Sequence, residues 1–579
     1  MSMIEEQTLV ERWWATGDMP MRVAPRAAFL IDGRMTMLEM CCHFLSARQS
    51  IHVAAWGITP DLLLVRGKHH HAGPDGSAEQ AELLRWLGTK GLAERDLLFW
   101  QQCEALSVAN VLSYAASKGV DVRILLWDSY GLPFQATGAQ QVQELFEPLG
   151  IYCLPDDSQK GLLNHPLTSM HQKAVVVDNR YAFVGGIDMM IENDGDYDRW
   201  DTKGHLFHNP LRASKDGVMP HGWHDVHILF EGPAVADVEQ NFRQRWNAVV
   251  EAHELDPALH LEDPPTSILV SEPVIEKPEH TVGELRLQVI RTIPNRMYKF
   301  APEEGIATIL QAYQQAFSQA RQFIYIENQY FWRQIFLGVE NPVLGKPHPD
   351  MEKLMQTLAE ALARGVIVTL LLPDNPNVGR EFTDDGLNYL WEIAPRAVAA
   401  GTLQAYTLGC SMQQDDAVRY RSIYVHGKVT IVDDEWITVG SANLNNRGMR
   451  DDAELNISIL HPKMAQGLRI LLMAEHLGLC DEDTLFRIIE VMGRVRLTDE
   501  LEHMEGDIAT IWERLQQQLS DPLAGTAMFA KQARKNLLAV KQRRPLVGHL
   551  SPYIPHSRAQ DYEVEIHAAN GWLDMLPAN

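Results

Sequence analysis

The chain of 579 residues carries 51 basic and 76 acidic residues, a formal net charge of −25, and 46% of its residues are hydrophobic. This composition is typical of folded globular proteins, and the length exceeds what one ordinary hydrophobic core serves, so we expect at least two structural units. The negative charge gives no general attraction to polyanions, which disfavours nucleic acid as a partner. The six cysteines form no zinc-binding spacing, so the sequence predicts no metal site.

The first residues, MSMIEEQTLVERWWATGDMPMR, do not resemble a secretory signal peptide. They are acidic and lack an apolar core followed by a cleavage site. No run of about 18 apolar residues occurs, so we expect no membrane-spanning segment. These features predict a protein that is cytoplasmic in the producing cell, and any export would use a route other than the signal-peptide pathway.

The chain contains an internal repeat. The segment ARQSIHVAAW (47–56) is similar to ARQFIYIENQ (320–329), and KGVDVRILLWD (118–128) is similar to RGVIVTLLLPD (364–374). Short, apolar, β-branched runs of this kind predict buried strands, and helical patterns that end on glycine precede several of them. Helix followed by buried strand, twice over, predicts an α/β fold with two pseudo-symmetric α/β/α sandwich halves.

The repeat and the composition along the chain predict four parts. Residues 1–254 form the first half and residues 285–505 the second. Residues 255–284 are rich in proline and acidic side chains, which is typical of a linker. Residues 506–579 depart from the repeat and are expected to form an accessory, mainly helical tail.

Each half carries a His-x-Lys-x4-Asp motif followed by two small residues. The two copies are MHQKAVVVDNRYAFVGGIDMM (170–190) and VHGKVTIVDDEWITVGSANLN (425–445). Residues two apart in a strand share a face, so His171 and Lys173 project together, as do His426 and Lys428. Lysine neutralises phosphoryl oxygens, and histidine attacks or transfers a proton. The motif therefore predicts a phosphate site rather than a metal site.

The other motif positions are expected to support this site. Asp178 and Asp433 lie at odd spacing from the histidines, so we expect them to anchor the turn after each strand. Asn443 is expected to donate its amide to a phosphate oxygen, and Asp188, at the matching position, to pair with a lysine or with the substrate head group. The small residues permit close backbone approach to an anion; they are Gly185, Gly186, Gly440 and Ser441.

The two motifs resemble the paired HKD motifs of the phospholipase D superfamily, and the resemblance extends over about residues 28–495. Several further segments are similar to phospholipases D proper rather than to the small nuclease members: RWDT (199–202), WHDVHILFEGPAV (223–235), NFRQRWN (241–247), LQVIRT (287–292) and IYIENQYF (324–331). The segment RGKHHHAGPDGS (66–77) and the compact length are most similar to bacterial phospholipase D effectors delivered by type VI secretion.

The resemblance implies a phospholipase D fold with one active site shared at the interface of the two halves. The implied reaction hydrolyses the head-group phosphodiester of membrane glycerophospholipids to phosphatidic acid and an alcohol, through a phosphohistidine. By analogy with the family, His171 is the nucleophile and His426 protonates the leaving oxygen, while Lys173 and Lys428 hold the phosphate. No metal or other cofactor is required by this chemistry, and no calcium-loop motif occurs.

A carboxylate on the second ring nitrogen is expected to orient each histidine. Glu454 matches the family's position for the partner of His426. Asp201, in RWDT, is our candidate partner of His171.

Two alternative functions use the same scaffold: a nucleic-acid phosphodiesterase, and a phosphatidyltransferase of the cardiolipin-synthase type. The acidic charge disfavours the first, and the lack of membrane-spanning segments disfavours the second. The expected partner is a phospholipid membrane surface. For an effector, the partners would also include the type VI secretion machinery and a cognate immunity protein, with delivery to a target-cell periplasm or a host.

Three further segments each have two interpretations. Residues 68–71 (KHHH) either contact phosphate or form a surface loop. Residues 330–338 either form an interfacial lip for acyl chains or pack in the core. The basic stretch 531–544 either rests on anionic lipid or forms a solvated helix with a core stripe, and the second is favoured.

Overall fold

The computed structural model describes residues 12–129, 137–159, 168–191, 198–213, 220–262, 285–336, 345–376, 378–415, 417–494, 504, 506–567 and 573–575. Most of the predicted linker, residues 263–284, lies outside the described residues, and so does Leu337.

The strands, numbered along the chain, are β1 (Arg22–Val23), β2 (Arg26–Ile31), β3 (Ser50–Ala55), β4 (Asp121–Trp127), β5 (Tyr152–Asp156), β6 (Ala174–Val177), β7 (Tyr181–Gly185), β8 (Gly222–His224), β9 (Val226–Glu231), β10 (Arg286–Ile293), β11 (Ile306–Ala307), β12 (Phe323–Glu327), β13 (Ile367–Leu371), β14 (Leu403–Gln414), β15 (Ala417–Val425), β16 (Val429–Val432), β17 (Trp436–Gly440), β18 (Glu454–Leu460), β19 (Leu550–Pro552), β20 (Val564–Ile566) and β21 (Leu573–Met575).

The α-helices are α1 (Asp32–Ser46), α2 (Ala78–Thr89), α3 (Glu94–Gln102), α4 (Val108–Ser117), α5 (Ala139–Phe146), α6 (Ala234–Ala252), α7 (Thr308–Gln319), α8 (Pro349–Ala363), α9 (Arg380–Ile393), α10 (Pro395–Ala400), α11 (Pro462–Leu477), α12 (Glu482–Arg494), α13 (Gly506–Leu519) and α14 (Pro522–Lys541).

The two large sheets repeat one topology. The first has the order β2-β9-β7-β6-β3-β4-β5, and the second contains β10-β18-β17-β16-β12-β13-β14 in the corresponding places. In both, the central strand (β3 or β12) pairs in parallel with the next strand along the chain and antiparallel with the first strand of the motif hairpin. The predicted α/β fold with two pseudo-symmetric halves is confirmed by this topology.

Both faces of each sheet are covered, which explains why the central strands are continuously apolar. In β12, Ile324 and Ile326 pack with residues of α7 and α8, whereas Phe323 and Tyr325 pack with residues of α11 and α14. The alternation follows from the two-residue period of a strand. In the first half, α6 lies against β3, β5, β6, β7 and β9.

The two sheets exchange strands at their edges. β8 belongs to the first half of the sequence but pairs in parallel with β15 of the second sheet, and β1 pairs with β10. The chain then passes from β8 to β9 through the single residue Asp225, which places Asp225 where the two sheets meet. The boundary predicted after residue 254 therefore does not separate the two sheets.

The tail is attached to the second half. β19 pairs with β14, and α13 and α14 pack on α11. α14 buries Ala533, Asn536 and Val540 and exposes Lys531 and Lys535, as in a solvated helix with a core stripe.

Two other ambiguous segments also occupy structural positions. Phe331 and Trp332 are buried in the core, at 3% and 1% exposed surface, whereas Tyr330 and Phe336 are partly buried. Lys68 pairs with Asp483, at the start of α12, so the KHHH segment docks on that helix. None of the described helices combines the length and apolar character needed to cross a bilayer.

Candidate active site

The two motif histidines lie at the interface of the halves. Each stands just before the first strand of its hairpin, β6 or β16. The backbone N–H of His171 donates to the carbonyl oxygen of Ala453 (2.9 Å), and that of His426 donates to the carbonyl oxygen of His224 (2.8 Å). Each histidine is therefore fixed against the chain of the opposite half.

A carboxylate from the opposite half holds each imidazole. His171 Nδ1 lies 2.9 Å from Glu454 Oε1, and His426 Nδ1 lies 2.6 Å from Asp225 Oδ2. The predicted pairing of Glu454 with His426 is therefore wrong. That prediction assumed that a histidine and its carboxylate belong to the same half. In the structure, Glu454 at the start of β18 and Asp225 just before β9 both face across the interface.

Asp201, the predicted partner of His171, has a different role. Its carboxylate accepts two hydrogen bonds from the guanidinium of Arg212 (2.9 and 3.0 Å), one from the backbone N–H of Trp223 (2.9 Å), and contacts His205 Nδ1 (3.1 Å). Against burial, which would raise it, Arg212 and His205 hold the pKa of Asp201 at about 2. These partners use both oxygens, so Asp201 is a buried structural anion.

The environment of the histidines favours the neutral imidazole. Burial lowers the pKa of both rings well below the usual value, and the positive charges of Lys173 and Lys428 lower it further. Burial also raises the pKa of Glu454 well above its usual value and that of Asp225 to about 6. A neutral imidazole that donates from Nδ1 carries its lone pair on Nε2, which is the nitrogen available to phosphorus.

The two lysines stand beside the histidines, and each donates to the carbonyl oxygen of its own motif histidine, but their side-chain partners differ. Lys173 Nζ lies 3.0 Å from Asp188 Oδ2 and donates to the carbonyl oxygen of His171 (2.8 Å). Lys428 Nζ donates to Gln329 Oε1 (3.2 Å), which also accepts from Asn443 Nδ2 (3.2 Å). Burial lowers the pKa of Lys428 to about 7. The site therefore contains one lysine paired with a carboxylate and one whose side-chain partner is the amide of Gln329.

The motif aspartates lie in turns away from the histidines. Asp178 accepts hydrogen bonds from the backbone N–H groups of residues 48–50, and Asp433 from those of residues 321–323. Both have a φ of 55°, a left-handed conformation that aspartate tolerates. Each aspartate thus ties its turn to the start of the central strand.

The glycines make room for neighbouring strands rather than for an anion, which corrects their predicted role. A Cβ at Gly186 would lie 2.1 Å from Asp225 Oδ1, and one at Gly440 would lie 2.1 Å from Asn456 Oδ1. A Cβ at Gly185 would lie 2.4 Å from a ring nitrogen of His227. All three would require the adjacent strand to move.

Ser441 takes the place of the second glycine in the other half. Its hydroxyl donates to Glu454 Oε2 at 2.5 Å. Ser441 therefore supports the carboxylate that orients His171, a role that the spacing alone did not indicate.

Sequence reasoning missed Asp225, Arg199 and two tryptophans. Arg199 is 3% exposed, and its guanidinium carbon lies 5.7 Å from the ring centroid of Trp56 and 4.9 Å from that of Trp223. Trp223 in turn lies 4.5 Å from the ring of His426. Asp225 could have been found by aligning WHDVHILF with DDAELNISIL, because the two segments lead into equivalent strands.

In a comparison with known protein families, each of the two motifs lies in a region that matches a different family model. A model described as Phospholipase D matches residues 95–337, which include the first motif. A model described as Cardiolipin synthase, PLD-like domain matches residues 313–471, which include the second. The chain contains phospholipase D superfamily domains.

Curated relatives of these domains include plant phospholipases D. Phospholipase D alpha 1 of Nicotiana tabacum is 27% identical over 558 residues, covering 76% of this chain and 63% of the relative. Phospholipase D alpha 1 of Arabidopsis thaliana is 28% identical over 492 residues, covering 66% of this chain and 59% of the relative. The chain thus spans about three fifths of the length of these relatives.

Among solved structures, phosphatidylserine synthase from Haemophilus influenzae Rd KW20 aligns with a TM-score of 0.44 and 14% identity, covering 90% of this chain and 99% of that one. The phospholipase D family member Nuc from Salmonella typhimurium aligns with a TM-score of 0.20 and 20% identity, covering 32% of this chain and 90% of that one.

Proposed function

We propose that the chain is a phospholipase D that hydrolyses the head-group phosphodiester of membrane glycerophospholipids to phosphatidic acid and an alcohol. The observation that carries this proposal is the pair of buried imidazoles, His171 and His426, each held by a carboxylate of the opposite half. Breaking a phosphodiester in this way needs a nucleophile for phosphorus and an acid for the leaving oxygen, and the two histidines supply one each.

In the first step, Nε2 of neutral His171 attacks phosphorus, and the bond between phosphorus and the head-group oxygen breaks. His426, protonated on Nε2, gives its proton to the departing oxygen. The negative charge of the bound phosphodiester raises the pKa of His426 and so favours its protonated form. Glu454 accepts a hydrogen bond from Nδ1 of His171 and stabilises the positive charge that develops on the ring.

In the second step, His426 takes a proton from a water molecule as the water oxygen attacks phosphorus. The bond between phosphorus and Nε2 of His171 breaks, and phosphatidic acid leaves. Lys173, Lys428 and Arg199 provide positive charge for the phosphoryl oxygens in both steps, and losing one such preorganised donor typically costs about 3–4 kcal/mol of barrier. An alcohol in place of water gives transphosphatidylation.

A lipid substrate is supported by the plant relatives, whose name is phospholipase D, and by the net charge of −25, which disfavours nucleic acid. A phosphatidyltransferase is the second candidate, and it is favoured by the match of residues 313–471 to the cardiolipin synthase model. The two candidates differ only in the acceptor of the second step.

Product analysis on mixed phospholipid vesicles, with and without ethanol, tests this proposal. We expect phosphatidic acid without ethanol and phosphatidylethanol in addition with it, and neither from His171→Ala. A purified transferase would need an alcohol acceptor and would yield little phosphatidic acid. Cleavage of plasmid DNA together with intact lipids would contradict both candidates and support a nuclease.

We further propose that the chain acts as a type VI secreted effector with a cognate immunity protein. The support is the similarity of residues 66–77 to a segment of such effectors. Producing the chain in the periplasm and in the cytoplasm of a bacterium, with His171→Ala as control, tests the role. Growth arrest that depends on His171 and on the periplasmic location supports it, and normal growth in both compartments contradicts it.

A further inference from the structure

A second group of titratable side chains lies behind the active site, where the chain passes from β8 to β9. Its four members come from distant parts of the sequence and are buried, with at most 1% of their side-chain surface exposed: Asp32, His205, His224 and Glu475. The phosphodiester chemistry described above uses none of them.

The four side chains have the spacing of metal ligands. His224 Nδ1 lies 3.1 Å from Asp32 Oδ1 and 3.5 Å from Glu475 Oε1. His205 Nε2 lies 2.9 Å from Glu475 Oε1 and 3.6 Å from Asp32 Oδ2. A tetrahedral Zn²⁺ ion with bonds of about 2.0–2.2 Å holds its ligand atoms about 3.3–3.6 Å apart. One ligand atom from each of the four side chains lies within 4.8 Å of the others, a spacing that small side-chain movements convert to such a tetrahedron.

The second ring nitrogens of the two histidines also have the partners that are typical of metal ligands. The second ring nitrogen of His205 lies 3.1 Å from Asp201 Oδ2, and that of His224 lies 3.0 Å from Glu327 Oε2. A histidine that binds a metal commonly donates its other N–H to a carboxylate, which fixes its tautomer and increases its basicity. Both histidines have this arrangement.

Two oxygens inside the group lack hydrogen bonds. Asp32 Oδ2 and Glu475 Oε2 are buried and have no hydrogen-bond partner among the described residues. A buried carboxylate oxygen without a partner is costly, so such an atom points to a bound species.

The carboxylates in and around this group outnumber the fixed positive charges that face them. The two ligand carboxylates and the two outer ones, Asp201 and Glu327, carry four negative charges. Among the described residues, the fixed cations that face them are Arg212, which binds Asp201, and Lys203, whose charge acts on Asp32 and Glu475. The imidazole of His476 also lies 2.8 Å from Glu327 Oε1. Two further positive charges are needed, and either two imidazolium protons or one divalent cation supplies them.

We propose that Asp32, His205, His224 and Glu475 bind one divalent transition-metal ion, with Zn²⁺ as the best match, in a closed structural site. Mixed imidazole and carboxylate ligands in a four-coordinate arrangement suit Zn²⁺ better than Mg²⁺ or Ca²⁺, which take more ligands and prefer oxygen. The ion connects α1, β8 and α11. It also fixes His224, whose carbonyl oxygen accepts the backbone N–H of His426.

The test measures metal rather than activity. The full chain, purified without a histidine tag, is stripped with a chelator and titrated with Zn²⁺ and, separately, with Co²⁺. We expect about one equivalent of tightly held Zn²⁺ by mass spectrometry, a higher melting temperature with Zn²⁺, and the intense visible absorption of four-coordinate Co²⁺.

Variants locate the ion. Glu475→Gln and Asp32→Asn keep side-chain size but remove one charged ligand, and each is expected to retain less than about a tenth of the Zn²⁺ under the same stripping conditions. Glu239→Gln is the matched control, because Glu239 is also a buried glutamate in contact with a histidine, His52, at 2.9 Å. His71→Ala and His171→Asn test an exposed histidine of the KHHH segment and the active site, and both variants are expected to retain the ion.

Two results would overturn the proposal. One is a folded wild-type chain that holds no stoichiometric Zn²⁺ and gives no four-coordinate Co²⁺ spectrum, which would mean that two imidazolium protons supply the missing charge. The other is equal Zn²⁺ retention by wild type and Glu475→Gln. The wild-type titration decides the matter even where a ligand variant does not fold.

Discussion

The two halves of the active site present their histidines on equivalent hairpins but support them differently. The carboxylate partner of the first histidine, Glu454, also accepts a hydrogen bond from the Ser441 hydroxyl. The partner of the second, Asp225, instead accepts a hydrogen bond from the backbone N–H of Val226 at 2.8 Å. Its carboxylate lies in the space where a side chain at Gly186 would be. Ser441 in the second motif and Gly186 in the first thus occupy equivalent positions. The first residue supports its carboxylate with a hydroxyl, and the second makes room for its carboxylate by having no side chain.

The lysines differ in the same way. Lys173 pairs with the carboxylate of Asp188, whereas Lys428 is held by the amide of Gln329, and Asn443 stands at the position equivalent to Asp188. Burial lowers the pKa of Lys428 to about 7, against the opposing effect of the Asp225 carboxylate. Changes at single positions thus give the two copies of the motif lysines with different side-chain partners.

The largest expected effect comes from removing either histidine. His171→Ala and His426→Ala should each lower kcat by at least about 10³-fold, because nucleophile and acid act on the same phosphorus. Steady-state hydrolysis of phospholipid vesicles measures this, with circular dichroism to verify folding and His71→Ala as an exposed-histidine control. Residual activity above a tenth of wild type in either variant would refute the shared site.

The next effect concerns the crossed carboxylates. Glu454→Gln and Asp225→Asn should each lower kcat by about 10²- to 10⁴-fold with little change in KM, since an amide does not hold the ring in the required tautomer. The measurement is kcat and KM for each variant on the same vesicles.

Asp201→Asn is the control for these two variants. It should lower the melting temperature, because breaking a buried ion pair costs about 3–5 kcal/mol, while the folded fraction keeps kcat within about tenfold of wild type. A kcat loss for Asp201→Asn that matches that of Glu454→Gln at equal folding would restore Asp201 as the partner of His171.

Substitutions at the equivalent positions Gly186 and Ser441 test how each half supports its carboxylate. Gly186→Ala places a methyl group 2.1 Å from Asp225 Oδ1. It should displace this carboxylate and cost about 10²-fold in kcat, whereas Ser441→Ala removes one hydrogen bond to a charged group, worth about 1.5–3 kcal/mol, and should cost about tenfold. Equal losses, or a larger loss for Ser441→Ala, would mean that the space beside Asp225 does not matter.

The smallest expected effect is on the pH profile. Lys428, with a pKa of about 7, is charged below that pH and neutral above it, so its attraction for phosphate is lost as pH rises. We expect kcat/KM to fall above about pH 7, and Asn443→Asp to move this fall upward by about one unit because a nearby carboxylate stabilises the ammonium. Asn443→Ala serves as the neutral control. An unmoved basic limb in Asn443→Asp would exclude Lys428 as its origin.

The fold was predictable because local and global signals agree. The repeated apolar runs, such as those of β4 and β13, become equivalent strands of two sheets. The exchange of β8 into the second sheet could not be predicted, because three residues, Gly222–His224, give no signal of their partner. The domain boundaries stay a prediction, since most of the linker lies outside the described residues.

In the active site, spacing predicted the four histidine and lysine positions, which the structure places together at the interface. It did not predict which carboxylate meets which ring, because that depends on how two halves dock across their interface. The catalytic roles of these residues stay predictions. The Asp32–Glu475 group was also invisible in sequence, since its members are far apart and share no motif.

The most direct test of the different roles of His171 and His426 is a burst experiment with a phosphatidyl ester of para-nitrophenol. The leaving oxygen of this substrate needs no acid. His426→Ala should release about one equivalent of nitrophenolate per chain and then stop, because His171 still attacks but water is not activated. His171→Ala should release none. A burst from His171→Ala with none from His426→Ala, or no burst from either folded variant, would contradict an active site in which His171 attacks phosphorus and His426 transfers the proton.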